Sequence, residues 1–310
     1  MDPRYADRTL AVTGGTGSLG SRLVDALAAA GAREIRVLAR DRVGLPGLGT
    51  VRHVRGDVRD GTGLAELLAG ASGVFHLAAM KRVDDCESRP REAVRTNVMG
   101  SVHLINAALE TSGIEWVIGA SSVSACAPAN VYGLTKALME RLLHEADRPA
   151  GPAFVALRLP SVWNTRGSVL DVWRKSVHAA GVVAVTDPEM TRFAVTLEEA
   201  VAMLLAATTE PPRGGVLVPN AAAYRVADLA AAFAESHGVS VELTGVRPGE
   251  KQHEDLISQA EAPFSRASDS GYVISLGARQ VGVLPVSSAR ARRLGRDELG
   301  RIVRSDYVVA

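Results

Sequence analysis

The sequence predicts a doubly wound α/β fold, a parallel sheet with helices on both faces, carrying a smaller lobe toward its C-terminus. Three observations predict it. A strand-like run at 9–12 passes directly into Thr13-Gly14-Gly15-Thr16-Gly17-Ser18-Leu19-Gly20, followed by an Ala/Leu-rich stretch at helical spacing that Gly31 closes. Short apolar runs then alternate with helix-period segments as far as residue 159, the rhythm of a parallel sheet. Beyond that point the elements shorten and the rhythm loosens, as expected of extra elements covering one edge of the sheet. We place the division at 1–160 and 161–310, with the second part interleaved with the sheet.

The elements follow in order. Strands are expected at 9–12, 34–39, 51–54, 73–77, 115–119 and 153–159, with helices to residue 30, near 63, over 91–109 and over 131–146. In the lobe, helices are expected at 168–179, 197–207 and 226–237, with strands at 181–185, 215–218, 241–244 and 272–275. A last helix, capped by Asp297, runs through residue 303.

Bulk properties exclude several classes. A chain of 310 residues can bury a large core. Its net charge of +1 gives no global pull toward nucleic acid or membrane. The two cysteines, Cys86 and Cys126, form neither a disulfide framework nor a metal-ligand spacing, so no metal is expected. No apolar run reaches the roughly 18–20 residues of a membrane span. The N-terminus lacks the apolar core of a signal peptide. A reducing, cytoplasmic setting follows as the default, and a homo-oligomer is expected.

The glycine segment carries the first functional signal. Gly15, Gly17 and Gly20 fit G-x-G-x-x-G between a strand and a helix, the context in which the backbone approaches a pyrophosphate at a helix N-terminus. Gly14, Thr16, Ser18 and Leu19 belong to the same cradle. Residues 1–160 are therefore expected to bind a dinucleotide. Arg40, at the end of the second strand, suits a 2′-phosphate and predicts NADP, while Asp41 beside it keeps NAD open. Asp57, followed by Val58, is placed to meet the adenine edge or to cap the next helix. Leu77, Ala78 and Ala79 leave room for a cofactor across the fourth strand, and Lys81 and Asn97 lie just beyond.

The second signal is Tyr132-x-x-x-Lys136, with Ser121 and Ser122 ten residues upstream. On a helix, positions i and i+4 share a face. An ammonium beside a phenol favours the phenolate, which can take a proton from a sugar hydroxyl. Tyr132 and Lys136 are the candidate catalytic pair.

With these pieces assembled, the chain resembles an extended short-chain dehydrogenase/reductase, of Rossmann fold, in the NAD-dependent epimerase/dehydratase superfamily. More narrowly it resembles the inverting UDP-N-acetylglucosamine 4,6-dehydratases. The resemblance rests on T-G-G-T-G-S-L-G, A-A-M-K ending at Lys81, R-T-N ending at Asn97 and N-V-Y-G-x-T-K ending at Lys136. It continues through R-G-S-V from Arg166, T-D-P-x-M-T-R-F around Arg192, and R-P-G-E-K-x-H-E from Arg247 through Glu250 to Glu254. It implies Ser122, Tyr132 and Lys136 as the oxidoreductase triad, and a nucleotide-sugar substrate, UDP-linked, held by Lys81, Ser161, Arg166, Arg192, Arg247, Glu250 and Glu254. Guanidinium forks suit a diphosphate, and a carboxylate can accept from ribose hydroxyls. His253 reads as structural.

The sequence departs from that family at one place that matters. Where the dehydratases carry S-T-D-K, this chain has Ser121-Ser122-Val123-Ser124, and Ser161 stands where the family has Asn. The family's Asp and Lys act as acid and base in eliminating water. A valine can do neither, and an unactivated serine is a poor base. Cys126 and Ser124 are the candidate replacements, a thiol of lowered pKa being able to serve. The expected reaction is transient oxidation to a keto-sugar followed by dehydration, through 4,6- or 5,6-elimination. The alternatives are 4-epimerisation, which needs no second base, dehydration of a free nucleoside, and a non-catalytic cofactor sensor.

Overall fold

A computed structural model of the chain describes residues 2, 4–40 and 49–305, with nothing to be said of the side chains of 179 and 180. Asp41 lies outside the described residues. In chain order the first half comprises β1 (Thr9–Thr13), α1 (Ser18–Ala29), β2 (Glu34–Ala39), β3 (Val51–Arg55), α2 (Leu64–Leu68), β4 (Gly73–His76) and α3 (Val83–Ser88). Then come α4 (Pro90–Ala93), a π-helical turn (Val94–Met99), α5 (Gly100–Glu110), β5 (Trp116–Ser122), α6 (Val131–Ala146) and β6 (Ala153–Leu159). The second half comprises β7 (Ser161–Val162), α7 (Val169–Ala180), β8 (Val182–Val185), β9 (Thr191–Val195), α8 (Leu197–Ala206), β10 (Gly215–Pro219), β11 (Ala222–Arg225) and α9 (Val226–His237). It closes with β12 (Ser240–Leu243), β13 (Asp255–Ile257), β14 (Ser265–Ser268), β15 (Gly271–Ser275), β16 (Val286–Ser287) and α10 (Arg296–Arg304).

The main sheet has the order β14-β15-β10-β6-β5-β4-β1-β2-β3. From β3 to β10 the pairing is parallel, and β15 and β14 add an antiparallel edge. β1 and β6 are buried at every position, which is why they read as near-continuous apolar runs. One face is covered by Leu64, Leu67, Leu104, Met139 and Leu143 from α2, α5 and α6. The other is covered by Leu23, Val24, Leu27, Ala200 and Leu204 from α1 and α8. A separate apolar cluster around Trp163, Trp173, Tyr224 and Phe233 holds the lobe. The sheet is thus the doubly wound one expected, and the second half of the chain contributes β10, β14 and β15 to it.

Several local expectations are corrected. The single helix expected over 91–109 is α4, a π turn and α5, and the extra residue per turn aims Asn97 inward. The fifth strand continues past 119 because Ala120, Ser121 and Ser122 keep their register with Leu157, Arg158 and Leu159. α10 is capped at Gly295, whose N–H donates to Glu298 at 2.8 Å, so Asp297 lies in its first turn. The Thr-Arg-Phe segment, read as a motif, is also a strand: β9 pairs with β11 and β7. α3 and several short lobe strands carry too few residues to show periodicity.

Candidate active site

A cleft of about 1140 Å³ runs along the C-terminal ends of the parallel strands and is closed on one side by the lobe. This is where ligands bind in open α/β sheets. At its floor, β1 delivers the glycine segment to the N-terminus of α1. Gly14 has φ +74°, and a Cβ there would stand 2.7 Å from the Ala78 backbone nitrogen. A Cβ on Gly20 would stand 2.2 Å from the Gly14 carbonyl oxygen. Gly17, at the cap position, offers no side-chain cap, so the first-turn N–H groups of α1 are left for an anion. Gly14, Thr16, Gly17, Ser18 and Leu19 line the cleft. Gly15 instead allows packing against Val37 of β2, 2.6 Å from where its Cβ would be.

Farther along, Arg40, Asp57 and Val58 meet at one end of the cleft. Asp57 does not cap α2. Its carboxylate accepts from the Arg59 backbone and side chain, 2.7 Å from Nη2. Burial raises its pKa, but the bonds to Arg59 and the nearby Arg40 charge hold it below the usual carboxylate value. Arg59, which also pairs with Glu92, was not singled out by the sequence, since one arginine after a short strand has no distinguishing pattern.

The middle of the cleft is fixed by a buried polar chain. The Thr13 hydroxyl lies 2.7 Å from His76 Nδ1, His76 Nε2 lies 3.0 Å from Ser101 Oγ, and Ser101 donates to the Asn97 carbonyl at 2.7 Å. Burial, reinforced by Lys136, pushes His76 down to about 3, so it is neutral. Asn97 was expected to touch the cofactor. Its carboxamide is instead engaged on both sides: Oδ1 accepts from Met80 N at 2.7 Å, and Nδ2 donates to Met80 O and Thr135 Oγ1, each at 2.9 Å. It holds the loop carrying Leu77, Ala78, Ala79 and Lys81 against α6. Lys81 lines the cleft, its pKa lowered by loss of solvation there and by Arg166.

Tyr132, Lys136, Ser122 and Ser124 line the cleft together. Asn130 explains the aim of α6. Its Oδ1 accepts from Gly133 N at 2.8 Å, capping the helix that carries the dyad. An asparagine just before the expected helix start was a signal available in the sequence. Ser122 Oγ accepts from Ser124 N at 3.2 Å. Lys136 Nζ donates to the Ala120 carbonyl at 2.7 Å. Burial sets both resting ionisations: Tyr132 is pushed up to about 12 and Lys136 down to about 8. The resting phenol is therefore protonated; the Lys136 ammonium, bonded to the Ala120 carbonyl, does not bring it down as the spacing led us to expect.

Cys126 is corrected. It is fully buried, outside the cleft lining, and donates to Glu261 Oε2 at 3.2 Å. Burial pushes its thiol up to about 12, the opposite of an activated cysteine. It belongs to a buried network behind the site. Arg158 forks onto Glu140 at 3.0 and 2.7 Å and onto Glu261 at 2.8 and 3.2 Å, and Ser121 donates to Glu140 at 2.6 Å.

On the lobe side, Ser161, Arg192, Arg247, Glu250 and Glu254 all line the cleft. Glu254 accepts from Phe193 N at 2.9 Å and lies 3.9 Å from Arg192 Nε; burial raises its pKa. Arg247 Nη2 is 2.7 Å from Glu250, whose pKa is raised by burial but brought down overall by this arginine. Arg166 is exposed beside the cleft, and its N–H donates to Ser18 Oγ at 3.3 Å. His253 is structural, 2.8 Å from the Thr191 hydroxyl. Among the described residues, no group of three or more His, Cys, Asp or Glu is arranged to hold a metal. No helix of the described residues is long and apolar enough to cross a membrane.

A glycine cradle, a Ser-Tyr-Lys set at the strand ends and a lobe over the cleft define an extended short-chain dehydrogenase/reductase of the epimerase/dehydratase type. The chain belongs to the Polysaccharide biosynthesis protein family, whose model matches residues 10–275. Pen from Bacillus thuringiensis superposes with a TM-score of 0.90 at 26% identity, covering 96% of this chain and 97% of that one. MoeE5, solved in complex with UDP-glucuronic acid and NAD, superposes at 0.70 with 26% identity over 79% of this chain and 88% of that one. The UDP-glucose 4-epimerase of Rickettsia canadensis is 33% identical over 283 residues, 86% of this chain and 82% of its own.

Proposed function

We propose that the protein rearranges a UDP-linked sugar without net redox change, through a transient keto-sugar, and that the rearrangement is 4-epimerisation. The observation that carries this is the make-up of the catalytic loop. It presents Ser122, Ser124 and Tyr132 to the cleft, carries Val123 where an acid would be needed, and seals Cys126 against Glu261. That set can remove and return a hydroxyl proton, which is all that epimerisation asks. The names of the Rickettsia relative and of the MoeE5 complex support the same substrate class.

The residues fit a nicotinamide dinucleotide. The space that a Cβ on Gly14 or Gly20 would fill, and the uncapped α1 N-terminus, would take its pyrophosphate, with Asp57 and Val58 at the adenine. Arg40 would take a 2′-phosphate, which makes NADP the cofactor; Arg40→Ala should then weaken NADP binding and spare NAD, and equal effects on both would overturn that choice. When bound there, a nicotinamide would supply reversible uptake of hydride from the sugar carbon. Tyr132, after its phenol has released its own proton to solvent, would accept the proton of that carbon's hydroxyl; Ser122 would orient the oxygen, and Lys136 would supply the charge that offsets the phenolate. Arg192 and Arg247 hold the diphosphate.

Incubation with UDP-, dTDP- and GDP-sugars in deuterated water tests this. An isobaric product with no deuterium at the carbon next to the ketone is expected, and Tyr132→Phe should slow turnover by about 10²–10⁴-fold. Loss of one water would replace epimerisation by dehydration. One observation favours that second reading: Lys81, in the cleft with its pKa lowered, is a base available for a C–H proton.

A further inference from the structure

The turn Arg247-Pro248-Gly249-Glu250-Lys251 joins the two halves of the cleft. At its front, the Arg247 side chain is 3.7 Å from Asp84 on α3 while bonded to Glu250. At its back, the Lys251 ammonium donates to the Cys126 carbonyl of the catalytic loop. Between them, Asn130 Nδ2 donates to the Gly249 carbonyl at 3.0 Å. A Cβ on Gly249, at φ +81°, would stand 3.0 Å from Asn130 Cβ, so the turn is pressed against the loop. Asn130 is the same residue whose Oδ1 caps α6 one position beyond Tyr132. α3 closes the circle, since Glu87 accepts from Val131 N at 2.6 Å. Proton transfer by Tyr132 requires none of these contacts. They tie Arg247, which lines the cleft, to the first turn of α6.

We propose that this turn is a strap that couples a nucleoside diphosphate in the lobe to the placement of Tyr132, with Asn130 and Lys251 as positioning residues. The inference rests on the nucleotide-sugar reading above. A diphosphate that draws Arg247 away from Asp84 shifts the turn, and Gly249 and Lys251 carry the shift to the loop and the cap. A free sugar has no diphosphate and leaves the strap unanchored, so selectivity for nucleotide-linked sugars is exerted on kcat as well as on binding.

UDP alone is the probe. Calorimetry measures its binding, and hydrogen exchange follows residues 120–136 in the wild type, Asn130→Ser and Lys251→Met. Serine keeps an N-cap acceptor while losing the donor to Gly249, so α6 stays capped. UDP is expected to slow exchange of that segment in the wild type and not in the variants, which bind UDP within about threefold of wild type. With the nucleotide-sugar, kcat should fall about tenfold at unchanged KM, and Lys251→Arg should restore it. Variants that bind UDP and gain the same protection as the wild type would overturn the strap. A wild type that does not bind UDP would overturn the nucleotide-sugar reading itself, before any variant is made.

Discussion

Replacing Lys136 with methionine should abolish turnover and, in protein stripped of nucleotide, raise stability at neutral pH. The ammonium is 3% exposed, and burial lowers its pKa from 10.5 to about 8. A drop of that size corresponds to about 3 kcal/mol of destabilisation below pH 8, where the folded and unfolded chains are both protonated. Methionine removes that cost with a side chain of similar length. It also removes the 2.7 Å bond to the Ala120 carbonyl, which costs about 1–1.5 kcal/mol. The net expectation is a gain of about 2 kcal/mol at pH 7, read as a higher urea midpoint. The sign fixes the pH dependence. The folded pKa lies below the unfolded one, so the folded state binds fewer protons between them. Wild-type stability therefore rises from pH 8 to 10.5 and is lower below that window. Lys136→Met lacks that rise, and its advantage should disappear by the top of the window. Equal stability at pH 7, or an advantage that does not change with pH, would refute the assignment of a desolvated ammonium.

Cys126→Ser should leave turnover within about threefold of wild type, because the thiol faces Glu261 rather than the cleft; a fall of 100-fold or more would restore it as an acid–base group. Gly20→Ala should weaken dinucleotide binding by more than about 100-fold by calorimetry, since its Cβ would collide with the Gly14 carbonyl at 2.2 Å; near-normal affinity would mean that the cradle is not the pyrophosphate site. Arg158→Met leaves Glu140 and Glu261 as buried carboxylates without their cation and should cost about 3–5 kcal/mol in urea unfolding; a cost below about 1 kcal/mol would show that the network is hydrated.

What could be read from the sequence follows from the distance over which each feature is encoded. The strand–loop–helix of Thr13 to Gly20 and the Tyr132/Lys136 spacing are each written within a few residues, and the structure places them in one cleft. Fully buried strands and long helices were legible because their apolar runs exceed the noise of short windows. The π turn was not, because nothing in Val94–Met99 differs in composition from an α-helix; the Asn97 carboxamide that it turns inward meets Met80, a contact no local pattern announces. The short strands of the lobe form by pairing with partners dozens of residues away, as β9 does with β11.

Cys126 marks the other boundary. A loop cysteine four residues from Ser122 is a fair candidate when only the loop is in view. Its chemistry is decided by Glu261, 135 residues away, and by Arg158, which neutralises both Glu261 and Glu140. That network explains why the loop needs no carboxylate of its own for stability: Ser121 is fixed through Glu140, and Cys126 through Glu261 and Lys251. The loop is therefore rigid without an acid–base pair. Its cleft-facing polar groups are the Ser122 and Ser124 hydroxyls, which suit the proposed movement of a proton on and off one oxygen. Any elimination has to recruit its base from outside the loop, which makes Lys81, on the facing loop pinned by Asn97, the residue whose substitution separates the two reactions. Lys81→Met should spare epimerisation, apart from a higher KM, and abolish dehydration by at least about 100-fold.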